Sequence, residues 1–87
     1  MINATTNFLN ALDVAGYITE DGEYEQVVEF DNVFVFISFD NNEGEYLVGV
    51  FHKASATRSG DFEGCPRAEG ELSDCRKAFA RICTEYA

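Results

Sequence analysis

The residues that could do chemistry in this chain are one histidine, three cysteines and a large excess of carboxylates. His52, Cys65, Cys75 and Cys83 supply four candidate metal ligands. Cys75 and Cys83 fall on one stretch of helical periodicity, eight residues apart, which is ~12 Å along a helix axis. A zinc ion holds sulfur at about 2.3 Å, so one ion cannot bridge both. The odd cysteine count has no CxxC spacing, which suits a reducing compartment better than a disulfide scaffold. His52 and Cys65 have the types of a base and a nucleophile. No third residue is identifiable as the group that would orient the base. Paired carboxylates could do acid–base work, but none stands out as buried with a raised pKa. The sequence also has no phosphate-binding loop, dinucleotide fingerprint or calcium loop. The expectation is a non-enzyme with no catalytic residue, no metal and no cofactor.

The carboxylates carry information through their distribution. Residues 1–52 contain ten Asp or Glu and no Lys or Arg, whereas residues 53–87 contain six acids and all six bases. The whole formal charge of −10 therefore sits in the first part of the chain. Such a field repels nucleic acid and anionic membranes and favours a basic protein surface. No basic-then-apolar leader and no apolar run of membrane-spanning length is present, which predicts a cytoplasmic protein.

The elements that must position these groups follow from hydrophobic spacing. Eighty-seven residues with 46% apolar content suit one small domain over residues 1–87, burying about two-thirds of its surface. Residues 1–16 predict a helix with Phe8, Leu9, Leu12 and Ala15 on one face, capped by Thr5 or Thr6 and ended by Gly16. Residues 24–52 carry three strand-like runs, YEQVVEF, VFVFISF and EYLVGVFH, joined by polar turns at Asp31-Asn32 and around Asn41–Gly44. The middle run is apolar on both faces, as a central strand is. A two-residue turn sets Phe30 opposite Val33. Tyr24, Val28, Phe30, Val33, Val35, Ile37, Phe39, Tyr46, Val48 and Val50 then share the core face. Val27, Phe34, Phe36, Leu47 and Phe51 share the other, rimmed by Glu23, Glu25 and Glu29. That second face is either covered by a helix or left open as an aromatic interface. Residues 53–70 lack periodicity and predict a long loop, part of 54–58 extending the third strand. Leu72, Cys75, Phe79, Ile82, Cys83 and Tyr86 predict a C-terminal helix capped by Ser73. The fold class is α+β: a three-stranded antiparallel meander with a helix at each end.

The candidate contact surface is the acidic side of this sheet and its turns: Glu20, Asp21, Glu23, Tyr24, Glu25, Glu29, Asp31, Asp40, Glu43 and Glu45. Tyr24, Tyr46 and Phe34 are candidate anchors. Carboxylates held on a sheet can occupy a groove whose Lys and Arg residues read phosphates. In length, acidity, helix–three-strand–helix layout and lack of enzymatic motifs, the chain resembles the small phage-encoded anti-CRISPR proteins. Those proteins share no common motif, so no residue roles transfer. The resemblance implies an inhibitor in the bacterial cytoplasm that keeps a Cas surveillance complex from its target DNA. The basic DNA channel of a multi-subunit type I complex is the favoured target. The protein is expected as a monomer or homodimer. The alternative is a small adaptor or homo-oligomeric interaction domain with no inhibitory role, using an exposed aromatic sheet face.

Overall fold

The computed structural model describes residues 3–17 and 24–87. Its elements run α1 (Ala4–Val14), β1 (Tyr24–Glu29), β2 (Val33–Asp40), β3 (Glu45–His52), β4 (Asp61–Phe62), β5 (Ala68–Gly70) and α2 (Leu72–Tyr86). The α+β class and the antiparallel meander β1-β2-β3 are present as the sequence predicts. Two short strands extend the sheet. Both pair with the outer edge of β3, β4 through Phe51–Phe62 and β5 through Val48–Ala68. Residues 53–70 are therefore not a structureless loop, and 54–58 do not lengthen β3. These strands hold two and three residues, too few to show a period of two.

The helix ends obey local chemistry one or two positions away from the predicted caps. Asn3 caps α1: its Oδ1 accepts from the Thr5 amide at 2.8 Å. At the other end Gly16 takes φ +89°, and the amides of Gly16 and Tyr17 donate to Asp13 and Leu12 carbonyls. This is a Schellman closure, which favours glycine because a Cβ is strained at positive φ. Glu71 rather than Ser73 occupies the N-cap of α2; Asp74 lies in its first turn, where the helix dipole favours an anion.

The turn at Asp31-Asn32 sets the register: the Phe30 amide donates to the Val33 carbonyl at 2.8 Å, and Val28, Val27 and Glu29 pair with Val35, Phe36 and Phe34. On one face Val33, Val35, Ile37, Val48 and Val50 pack against Cys75, Ala78, Phe79 and Ile82 of α2. On the other Phe34, Phe36 and Phe51 pack beneath Phe8 and Leu12 of α1. Each helix thus covers one face. The aromatic face offered to a partner in the adaptor alternative is interior: Phe34, Phe36 and Phe51 are all buried, so Phe34 is no surface anchor. Gly49 makes this packing possible. A Cβ there would lie 2.3 Å from Cζ of Phe36, whose ring crosses the strand.

Two residues depart from the expected core face. The β1–β2 register shifts between Tyr24 and Gln26, so Tyr24 stands opposite Ser38 and packs in the α1 cluster, its ring 5.0 Å from that of Phe8. One extra residue in a strand sends every side chain beyond it to the opposite face. Phe39 lies past the reach of α2 and is 40% exposed.

Candidate acidic interface

The sheet has two ends of different electrostatic character. At the end holding the β1–β2 turn, most charges are matched within the chain; among the described residues there, Asp31 has no ion-pair partner. Lys53 Nζ donates to Glu29 Oε2 at 2.7 Å, and Asn7 Nδ2 donates to Glu29 Oε1 at 2.8 Å. These bonds, Lys53's first, hold the Glu29 carboxyl below its ordinary range. Arg58 pairs with Asp61. Glu63 accepts from Nε and Nη2 of Arg67 at 2.6 and 2.9 Å and meets His52 Nε2 at 2.9 Å. The Glu63 carboxyl is lowered to about 2, chiefly by Arg67. Arg67 also donates to Glu85 and to the Tyr86 hydroxyl, which ties the β4–β5 connection to the end of α2. His52 is thus engaged by a carboxylate. Cys65 lies exposed on the β4–β5 connection.

The other end holds the β2–β3 turn, and there the carboxylates stand together. Asp40 is directly opposite Glu45 across the ladder. Glu69 pairs with Leu47, two residues along from Glu45, so β5 brings a third carboxylate to the same face. Glu43 lies in the turn between them. Asp40 Oδ1 accepts from the amides of Asn42 and Glu43 at 2.9 and 3.3 Å, which orients its carboxylate. A hydrogen bond shared with Glu69 is the largest cause holding the Glu45 carboxyl above its ordinary range, and the charges of Glu69, Glu43 and Asp40 add to it. Among the described residues, Asp40, Glu43, Glu45, Glu69, Glu71 and Asp74 have no ion-pair partner. Of the described carboxylates at this end, Glu25 alone is paired, with Nη2 of Arg76 at 2.8 Å.

The predicted contact residues therefore divide. Asp40, Glu43 and Glu45 come together. Glu25 lies beside them but is tied to Arg76, and Tyr24 is half-buried against Phe8 and Phe36. Glu29 and Asp31 belong to the opposite end, where Glu29 is neutralised. Glu20, Asp21 and Glu23 lie outside the described residues. The expected rim of Glu23, Glu25 and Glu29 is not one row, because the register shift separates Glu25 from Glu29. Glu69 was hidden in the unpatterned segment. The length of that segment was the available hint, since long structureless loops are rare in compact domains.

The cluster is spread along a sheet end and does not converge on a point. No group of three or more His, Cys, Asp or Glu among the described residues is disposed to hold a metal ion. Burial pushes the thiols of Cys75 and Cys83 up, which keeps them protonated and unreactive. An apolar groove of about 420 Å³ runs between α1 and residues 53–60, floored by Ala11, Val14, Phe34 and Phe51, with Lys53 at its rim. No described helix is long and apolar enough to cross a membrane. Compared with protein-family models, curated proteins and solved structures, the chain matches none.

Proposed function

We propose that this protein is an inhibitor that uses the β2–β3 end of its sheet as a charge mimic, occupying a basic protein surface that would otherwise bind nucleic acid. One observation carries the reading: Asp40, Glu45 and Glu69 crowd one another without a cation. Like charges directly opposite in a ladder destabilise it. At the other end of the same molecule, Lys53, Arg58 and Arg67 are each paired with a carboxylate, Glu29, Asp61 and Glu63. Leaving the acids uncompensated gives up stability for a surface that a basic partner can neutralise. Opposed and alternate sheet positions hold carboxylates at spacings on the order of 5–7 Å. On a basic partner they make charge-assisted bonds and speed encounter. The resemblance to small phage-encoded anti-CRISPR proteins supports a Cas surveillance complex as that partner, with the DNA channel of a type I complex as the favoured surface. On this reading the protein has no catalytic role and no direct contact with nucleic acid, and it acts in the bacterial cytoplasm.

The test is competition. A purified type I surveillance complex is incubated with the protein, and binding of labelled target duplex is measured at rising salt. Dose-dependent loss of DNA binding that fades steeply with salt is expected. A variant carrying Asp40→Asn, Glu43→Gln, Glu45→Gln and Glu69→Gln should lose at least about tenfold in potency, in line with the strength of close interfacial charge pairs. Undisturbed DNA binding at saturating protein, or equal potency of the variant, overturns the reading.

A further inference from the structure

At the acidic end of the sheet lies a cleft of about 510 Å³ bounded by Tyr24, Glu25, Phe39 and Tyr46. We propose that this cleft receives an arginine side chain of the basic partner. The inference rests on the charge-mimic reading and gives its partner a chemistry.

Three observations meet here. First, the cleft has aromatic walls, and the fold leaves one of them, Phe39, exposed while Tyr46 is partly buried against the core. Phe39 and Tyr46 pair across β2 and β3, their rings in edge contact at 5.0 Å and 67°, and Phe39 is 40% exposed. A large apolar ring beside crowded carboxylates suits a ligand with a flat, weakly hydrated cation. Guanidinium is such a cation: it stacks on rings and donates in a fork, whereas ammonium is a compact, strongly hydrated point charge. Second, the cleft holds one carboxylate, Glu25, in place of the convergent set that a metal ion would need. Third, the chain itself supplies a guanidinium to that carboxylate. Arg76 reaches from α2, fifty-one residues away in sequence, and its Nη2 donates to Glu25 Oε1 at 2.8 Å. Arg76 is 57% exposed, and among the described residues Oε2 of Glu25 has no partner. The internal contact thus satisfies half of the acceptor, in solvent, where ion pairs are weak.

Arg76 is therefore a stand-in that the partner's arginine displaces, taking both oxygens of Glu25 while its plane lies against Phe39 and Tyr46. Asp40 and Glu45 follow and precede these two rings in the chain, so their field draws a cation toward the cleft.

The test uses the intact protein and three small probes: N-acetyl-arginine amide, its lysine counterpart and its citrulline counterpart, which keeps the shape without the charge. NMR titrations follow the aromatic and amide resonances. Saturable shifts of the Phe39 and Tyr46 rings with the arginine probe are expected, with the lysine probe at least about threefold weaker and citrulline silent. Glu25→Gln, which preserves the shape, and Phe39→Ala should each weaken the arginine probe severalfold. Arg76→Ala should strengthen it about twofold to fivefold, the weight of an exposed ion pair, while Arg81→Ala makes the same change of charge without effect. Equal, unsaturable responses to arginine and lysine, spread over residues 40–45, overturn the cleft yet leave the charge-mimic reading standing. Silence of every probe overturns the cleft as well, and the DNA competition then judges the broader reading alone. Equal strengthening by Arg76→Ala and Arg81→Ala overturns the displacement.

Discussion

Phe8→Ala tests whether α1 truly closes the second face of the sheet. Phe8 is 0% exposed, and its ring centroid lies within 5.0–5.2 Å of Tyr24, Phe34 and Phe36, and 5.8 Å from Phe51. Truncation removes an aromatic side chain from the centre of that cluster. The neighbouring rings belong to three hydrogen-bonded strands, which resists collapse into the void. Buried Phe→Ala changes cost about 3–5 kcal/mol, and poor collapse favours the upper part of that range. An 87-residue domain has on the order of 4–13 kcal/mol in all, so the variant is close to unfolding. In thermal denaturation followed by circular dichroism, the midpoint should fall by roughly 15–30 °C. Urea titration should show a lower midpoint with an unchanged slope. Phe39→Ala is the internal control: its ring is 40% exposed, and the loss should be about 1 kcal/mol. A loss below about 1 kcal/mol for Phe8→Ala would refute the two-sided core and return Phe34, Phe36 and Phe51 to the surface.

Three further outcomes follow from the same packing and charges. Gly49→Ala should cost about 1–3 kcal/mol in the same denaturation assay, because its Cβ would meet the Phe36 ring at 2.3 Å. Glu63 has its folded pKa lowered to about 2 from 4.5, so its stabilisation is present above pH 4.5 and is lost as pH falls from there toward 2. Glu63→Gln should flatten stability across that window. Glu45 behaves oppositely: its folded pKa is raised above 4.5, so the native state binds protons more readily and repulsion is relieved as pH falls through the folded pKa. Glu45→Gln should raise the melting midpoint at pH 7 and lose that advantage in acid.

The meander was legible because its signals are local. A two-residue turn and a period of two place Val28 against Val35, and helical spacing puts Phe8 with Leu12 and Cys75 with Phe79. Tyr24 departs from the face its spacing predicts because a bulge needs only one extra residue, whose side chain carries no mark of it. The caps moved to Asn3 and Glu71 because several polar residues at each helix start could serve, and tertiary packing selects among them. The candidate site was legible in composition and only partly in place. Turn chemistry brought Asp40, Glu43 and Glu45 together. Pairing between distant segments decided which acids are matched by a cation: Lys53 with Glu29 across 24 residues, Arg76 with Glu25 across 51. The arrival of Glu69 on β5 was likewise a long-range event.

The charge-mimic account is tested most directly by capture from a nuclease-treated bacterial lysate containing CRISPR surveillance complexes. The tagged protein and its Asp40→Asn, Glu43→Gln, Glu45→Gln, Glu69→Gln variant are compared side by side, with elution by rising salt. The account predicts that the unmodified protein alone retains a surveillance complex, that salt releases it, and that the complex cannot bind its target DNA while the protein is bound. Equal capture by both proteins, a complex that resists salt, or a captured complex that still binds its DNA would contradict it.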